Sequence, residues 1–201
     1  MTQSKSLTGI FLATGASLVF SVNDLSIKAL SGGYALHQII LIRALIAMVF
    51  VLTVIGVSRR GFAQLLTRRP GTHLIRVAII MVSNVTFFTG LAQMPLADAV
   101  AVAYVSPIII TLQSILFLGE KVGPRRWSAV VVGLVGVLVM LRPGMGVIQP
   151  AAFLVLFSAV LYASGNLMAR HLGDTESALT LTFYVQLGFI VVSLGMGLWV
   201  G

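Results

Sequence analysis

Seven long apolar stretches constrain the fold of this chain more than any other feature. The hydrocarbon core of a bilayer is about 30 Å thick, and a helix needs about 20 apolar residues to cross it. The stretches are about twice as long as a membrane-spanning strand and lack its strict alternation. An all-α membrane protein with seven transmembrane helices is therefore predicted, the first being a retained span rather than a signal peptide. The stretches lie at about residues 7–30, 36–57, 74–93, 96–118, 127–142, 151–172 and 178–200.

Composition independently excludes a soluble domain. Hydrophobic residues make up 58% of the chain and charged residues 9%, and the mean hydropathy is +1.06. These values lie far from those of soluble globular domains. Cysteine is absent, which removes disulfides and thiolate metal sites from consideration. No pattern in the sequence predicts a metal or any other cofactor.

The formal net charge of +8 raises the question of a nucleic-acid partner, and the distribution of the charge answers it. If the N-terminus lies on one side of the membrane, ten of the thirteen lysines and arginines fall on or near that side. By the positive-inside rule, this side is the cytoplasm. We therefore predict a multi-pass protein of the cytoplasmic (inner) membrane with a cytoplasmic N-terminus, in contact with anionic lipids and not with nucleic acid. The ten cations are Lys5, Arg59, Arg60, Arg68, Arg69, Arg76, Lys121, Arg125, Arg126 and Arg170.

A segment at the end of the first stretch recurs, in degenerate form, at the end of the sixth. Phe20–Leu30 reads FSVNDLSIKAL, and Tyr162–Leu172, 142 residues downstream, reads YASGNLMARHL. Two of the eleven positions are identical, and Phe/Tyr, Asp/Asn and Lys/Arg replace one another elsewhere. The offset corresponds to five predicted helices, and an odd number reverses direction. The echo therefore predicts inverted repeats, which in many secondary transporters place the substrate site near the midplane.

Three motifs between Phe88 and Gly144 are specific enough to indicate a family. Small residues and Tyr104 lead to Ser106-Pro107, the fourth stretch ends in Leu118-Gly119-Glu120, and the glycine-rich fifth stretch ends in Arg142-Pro143-Gly144. The start of the chain, SVNDLSIKAL followed by HQIILIRALIA, fits the same pattern. This sequence resembles the EamA repeat of the drug/metabolite transporter superfamily.

The resemblance implies ten helices in two inverted units around a central pocket. It implies alternating access for a small organic metabolite, such as an amino acid, vitamin, nucleobase or drug-like compound, with export favoured over uptake. Residues 7–142 correspond to a complete five-helix unit, and 151–201 to the first two helices of a second, inverted and truncated unit. The alternative is a non-transporting membrane fragment or a structural partner subunit.

Charged residues inside the first two stretches are the leading candidates for a substrate or coupling site. Asp24 and Lys28 are one helical turn apart, and Arg43 lies at a similar depth. An ionised residue at a helix centre costs about 2.5–3.5 kcal/mol on insertion scales, so such residues pair or face a cavity. Asp24 then handles a proton or a substrate amine while a cation holds a carboxylate; otherwise these residues form a static ion pair, with Lys28 reaching the headgroups. Asn23, beside Asp24, is a further candidate.

Neutral polar residues supply the remaining candidates. Tyr104 begins a stripe at helical spacing along the fourth stretch, in which Pro107 predicts a kink. Tyr162 and Asn166 are the inverted equivalents of Phe20 and Asp24, and Gln186 corresponds to Arg43. Asn166 cannot exchange a proton, so proton coupling is predicted to be asymmetric between the halves.

Catalytic motifs are missing from the sequence. It contains no HExxH, GxSxG, P-loop or GxGxxG pattern, and its three histidines are widely separated near stretch ends. The sequence therefore predicts a protein that is not an enzyme, with a small-molecule substrate and optional proton coupling.

Overall fold

The computed structural model describes residues 2–30, 32–59, 61–120, 123–141 and 150–200. Within these ranges the regular structure is entirely helical, which confirms the predicted all-α class for this part of the chain. The elements are α1 (Thr2–Leu30), α2 (Leu36–Val57), a 3₁₀ helix (Gly61–Leu65), α3 (Pro70–Gln93), α4 (Leu96–Ala103), α5 (Ser106–Leu118), α6 (Pro124–Leu141), α7 (Pro150–Leu172) and α8 (Ala178–Val200).

Among the residues that the structure describes, five segments have the length and the apolar composition needed to cross a membrane. They are Leu36–Val57, Pro70–Gln93, Leu96–Leu118, Pro150–Leu172 and Ala178–Trp199. In α6 the apolar portion is shorter, at Trp127–Gly136. The first and fifth predicted spans, carried by α1 and α6, and the inversion of the second unit stay predictions.

Some sequence features lie outside the described residues. They are the Arg142-Pro143-Gly144 motif, the cations Arg60 and Lys121, and the side chains of Lys5, Arg125 and Arg126.

Proline and glycine explain where two of the helices begin and end. Pro70 stands in the first turn of α3, so this helix starts four residues before its apolar stretch. Proline suits that position because it lacks the N–H that would have no partner there. Gly119 ends α5 in the left-handed conformation, with a φ of 65°. This conformation favours glycine, which explains the residue between Leu118 and Glu120.

The predicted helix over 96–118 is interrupted at Tyr104 and Val105, between α4 and α5. Pro107 has no N–H to donate to the carbonyl of Ala103, four residues earlier. The hydroxyl of Ser106 donates to that carbonyl instead, at 2.6 Å. The Ser106-Pro107 pair therefore breaks the helix without leaving the carbonyl unsatisfied.

The core lies where α3 packs against α7 and α2 packs against α8. Gly90 on α3 permits close approach to α7, because an added Cβ would lie 2.7 Å from Val155 Cγ2 and 2.9 Å from the carbonyl oxygen of Ala151. Gly188 on α8 meets Val77 of α3 in the same way. Small residues at helix contacts are the usual means of tight packing in membranes. These contacts hold α2, α3 and α8 together around the half-buried charge described next.

Candidate functional site

Arg43 lies within the apolar body of the helix bundle. It is the eighth residue of α2, about 10 Å along the helix axis from Leu36. Its Nη2 donates to Asn84 Oδ1 on α3 at 3.2 Å. Asn84 in turn donates through Nδ2 to the carbonyl of Ile80 at 3.0 Å, which fixes the orientation of its amide. The guanidinium is thus held by a neutral partner on a neighbouring helix.

Two aromatic rings flank the same guanidinium. The Arg43 Cζ atom is 5.5 Å from the ring centroid of Phe88 on α3 and 5.3 Å from that of Phe189 on α8. A cation over an aromatic face gains about 2 kcal/mol where water is excluded. Guanidinium carries five N–H donors, and the hydrogen bond to Asn84 uses one of them. Arg43 is therefore positioned by three helices with donors left for a further acceptor.

Asp24 provides an opposite charge near Arg43, and the two side chains do not form an ion pair. The side chain is half-buried, and its Oδ1 accepts a hydrogen bond from Asn23 Nδ2 at 3.2 Å. The charges of Asp24 and Arg43 interact electrostatically, but neither residue takes part in the two ion pairs found among the described residues. Separated opposite charges of this kind suit a ligand that carries both an acidic and a basic group.

Lys28 contacts the end of α3. Its Nζ donates to the carbonyl oxygens of Leu91, Ala92 and Met94 at 2.6, 3.2 and 3.0 Å. These carbonyls lie at the C-terminus of the helix, where the last acceptors lack helical partners and a cation is favourable. The structure thus gives Lys28 a capping role that joins α1 to α3.

Removal of this cap gives a first prediction. Lys28→Met is expected to reduce the free energy of unfolding by about 1–3 kcal/mol, because the carbonyls lose a charged donor. Thermal unfolding in detergent measures the loss as a melting temperature lowered by roughly 3–10 °C. Arg59→Met, at an exposed position after α2, is the control and should melt like the unmodified chain. Equal melting temperatures for the two variants would contradict the capping role.

A cavity of about 220 Å³ lies at the same end of α1, α2 and α3. Lys28, Ile39 and Phe88 are among its lining residues. Phe88 also contacts the Arg43 guanidinium, so one ring forms a wall of the cavity and a face of the charged site. The cavity and the charged site therefore lie next to each other, with the Phe88 ring between them.

Three of the predicted site residues do not contact Arg43. Tyr104 is 63% exposed and Tyr162 is 45% exposed on the described chain. Asn166 donates through Nδ2 to the carbonyl of Tyr162 one turn earlier, at 2.8 Å. Within the described residues, no contact joins these three side chains to Arg43. They lie on the helices formed by 96–118 and on α7, away from α2.

Gln186 is closer to the cluster. It stands three residues before Phe189 on α8, and this spacing places both side chains on one face of the helix. Its Oε1 is buried and has no hydrogen-bond partner among the residues that the structure describes. A buried acceptor without a donor is unusual, because leaving one unsatisfied costs about 1–3 kcal/mol. Gln186 thus offers a ligand a buried hydrogen-bond acceptor on α8.

A second polar network, absent from the sequence predictions, ties the segment before α3 to the turn between α7 and α8. Thr67 donates through its hydroxyl to Glu176 Oε1 at 2.6 Å. His73 Nε2 lies 3.8 Å from the same oxygen, and the His73 ring stacks on Tyr184 with centroids 4.4 Å apart. The Tyr184 hydroxyl donates to the carbonyl of Leu65 at 2.9 Å.

Further bonds extend this network along the 3₁₀ helix. Ser177 donates to Gln64 Oε1 at 3.0 Å, and the Thr180 hydroxyl donates to the Gln64 carbonyl at 2.8 Å. We name the whole network the polar clasp. Its members come from segments more than 100 residues apart, so no local sequence pattern pairs them. The polar clasp consists of Gln64, Thr67, His73, Glu176, Ser177, Thr180 and Tyr184.

Comparison with known proteins supplies the family. The profile of the EamA-like transporter family matches residues 7–142. The riboflavin transporter of Rhizobium johnstonii is 33% identical over 152 residues, which cover 76% of this chain and 50% of that protein. The S-adenosylmethionine uptake transporter of Rickettsia prowazekii is 25% identical over 196 residues, covering 96% and 66%. The pseudopaline exporter CntI of Pseudomonas aeruginosa is 28% identical over 183 residues, covering 88% and 62%.

The chain thus spans between half and two thirds of the length of these curated relatives. The family match covers more than half of the chain and includes the first two of the three motifs on which the resemblance was based. The predicted resemblance is therefore confirmed, and the chain belongs to the EamA-like transporter family.

Proposed function

We propose that this chain carries a small organic metabolite across the cytoplasmic membrane by alternating access. The observation that supports this most strongly is Arg43, a cation within an apolar helix that is held by an amide and two aromatic rings. Ionisable residues inside membrane segments are expensive and usually line a substrate or ion pathway. The names of the relatives, which include riboflavin and S-adenosylmethionine uptake transporters and a pseudopaline exporter, agree with such a cargo. Export, favoured by the sequence analysis, stays a prediction.

Within this proposal the two charges have different roles. Arg43 binds an anionic or carbonyl group of the substrate with the donors that Asn84 leaves open. Asp24 binds a substrate amine or a proton, and Gln186 offers a buried acceptor from α8. Alternating access breaks no bond in the substrate, so the proposal assigns no catalytic residue and no cofactor.

The arrangement of the helices supports the proposed topology. Polar clasp contacts place the segment after α2 and the turn after α7 at the same end of the bundle. Two segments on the same side of a membrane must be separated by an even number of crossings. Between the segment after α2 and the turn after α7, four crossings are available: α3, the pair α4 and α5, α6, and α7. This supports α6 as a crossing despite its short apolar portion, which the seven-span, inverted arrangement requires.

Orientation is tested with reporter fusions. We propose that the N-terminus is cytoplasmic, because most cations then fall on the cytoplasmic side. A reporter at Gly61 should then have cytoplasmic activity, and one at Gly33 external activity. The reverse pattern would show that the chain is inserted the other way round.

The function is tested by tracer flux in proteoliposomes. The chain is reconstituted and screened with radiolabelled riboflavin, S-adenosylmethionine, amino acids and purines, with protein-free liposomes as the control. Saturable flux of at least one compound is expected. If correctly inserted, folded protein moves none of them, a structural partner subunit or a non-transporting fragment becomes the better description.

A further inference from the structure

We infer that His73 and Glu176 form a proton-binding site whose occupancy fastens the polar clasp. The inference depends on the proposed function only for its consequence, which is control of access from the predicted cytoplasmic side. The site is distinct from Asp24 and Arg43, and its test requires no transported substrate.

Burial is the first argument for this site. The His73 side chain is 2% exposed and that of Glu176 is 8% exposed. Both ring nitrogens of His73 lack a hydrogen-bond partner among the described residues. A buried polar group without a partner costs free energy, so this ring is poorly satisfied in its neutral form.

The second argument is the charge of Glu176. One hydroxyl, from Thr67, donates to its Oε1, and a buried carboxylate needs a cation as well. Arg76 is the nearest arginine along α3, but its Nε donates to the carbonyl of Gly165 at 3.2 Å and its Nη1 to that of Leu181 at 3.1 Å. With Arg76 engaged by α7 and α8, His73 is the group positioned to supply the positive charge.

Geometry gives the third argument. His73 Nε2 and Glu176 Oε1 are 3.8 Å apart, slightly beyond a hydrogen bond. A proton bound to the imidazole makes Nε2 a charged donor, and a small approach of the two groups then forms a charge-assisted hydrogen bond. Loss of the proton removes the charge, and the neutral ring offers at most an uncharged N–H, which is a weaker donor, so Thr67 and the neutral contacts are left to hold the turn.

The charged and titratable groups around His73 set the sign of the effect. Burial has the largest effect and opposes a charge on the ring, Glu176 favours the protonated ring, and Arg76, one turn away on α3, opposes it. Tyr184 on α8 stacks against the ring as a neutral group. Because protonation adds a bond across the clasp, the clasp should close at low pH and open as the pH rises. The remaining charged residues of these segments, Arg68, Arg69 and Asp174, are exposed.

The absence of cysteine from the sequence permits a direct test. Val77, one turn beyond His73 on α3, is buried, so a single Val77→Cys reports opening of the clasp. A membrane-impermeant maleimide is applied to inside-out vesicles at pH 5 and pH 8, because burial favours the neutral ring and moves its titration to lower pH. Each rate is divided by that of exposed Phe62→Cys at the same pH, which removes the intrinsic pH dependence of the thiol.

The normalised rate is expected to rise at least about fivefold from pH 5 to pH 8. His73→Gln and Glu176→Gln should each abolish this rise, since each removes one partner of the proton site. His171→Gln is the matched control, because this histidine is exposed at the end of α7, and it should keep the rise. Thr67→Val should raise the rate at both pH values while the difference between them remains.

Two results would overturn the inference. One is a normalised rate in the Val77→Cys chain that does not change between pH 5 and pH 8, which needs no further variant to interpret. The other is a rise that persists in either His73→Gln or Glu176→Gln. Neither result bears on whether the chain transports a metabolite, which the flux assay measures separately.

Discussion

Replacement of Arg43 with glutamine is expected to lower metabolite flux about 10- to 150-fold, because a charge-assisted hydrogen bond is worth about 1.5–3 kcal/mol. Glutamine keeps a polar side chain that can bond to Asn84 Oδ1, so the helices should still assemble. What it loses is the positive charge between Phe88 and Phe189. The change therefore separates substrate binding from the folding of the bundle.

Flux is measured in proteoliposomes with the compound that the tracer screen identifies. Arg59→Gln is the control, since Arg59 is exposed at the end of α2 and should leave flux unchanged. Arg43→Lys keeps the charge but lacks the planar group of donors, so an intermediate loss is expected. Normal flux through Arg43→Gln, at equal amounts of inserted protein, would remove Arg43 from the transport pathway.

Enlargement of Gly90 should have the largest effect on stability. A side chain there must enter the contact between α3 and α7, where Val155 Cγ2 and the carbonyl oxygen of Ala151 lie within 3 Å of an added Cβ. Because the carbonyl belongs to the helix backbone, the helices themselves must separate. Gly90→Leu is expected to cost about 3 kcal/mol or more of unfolding free energy, with Gly90→Ala intermediate.

The measurement is thermal unfolding in detergent, where a loss of this size lowers the melting temperature by roughly 10 °C. Gly195→Ala on α8 is the matched control, because an added Cβ there meets nothing within 4 Å. Alanine also favours the helix over glycine, so this control should melt at the same temperature or slightly higher. If Gly90→Leu melts with the control, the α3–α7 contact is looser than the structure indicates.

Long apolar runs made most of the fold predictable from sequence. The predicted stretch 36–57 coincides with α2 (Leu36–Val57), and 178–200 coincides with α8 (Ala178–Val200). Length and hydropathy decide such helices locally, so no knowledge of packing is required. Local chemistry also explains the break before Pro107, since a proline removes one identifiable hydrogen bond.

Only those site residues that can be recognised within a single helix were predictable from sequence. Arg43 and Asp24 were predictable because each is a charged residue in an apolar run. Inserting such a charge into a membrane costs free energy whichever helices surround it. Their partners were not visible, since Asn84, Phe88 and Phe189 reach Arg43 only through the packing of α3 and α8 on α2.

Tertiary packing also explains two contacts that were not predicted from the sequence. Lys28 caps the end of α3, which lies more than 60 residues away in sequence. In the polar clasp, His73 and Glu176 lie close together only because the turn after α7 packs against the start of α3. Neither contact has a local signature that periodicity or spacing detects.

The central claim is that the transported metabolite occupies the space around Arg43, and site protection tests it most directly. Ala47 lies one turn from Arg43 on α2 and is half-buried, so Ala47→Cys places a single thiol beside the site in a chain with no other cysteine. The rate of maleimide labelling is measured with increasing concentrations of the compound identified by the flux screen. The account predicts at least about fivefold protection, half-maximal at the concentration that half-saturates flux. Unchanged labelling at a concentration that saturates flux would contradict it.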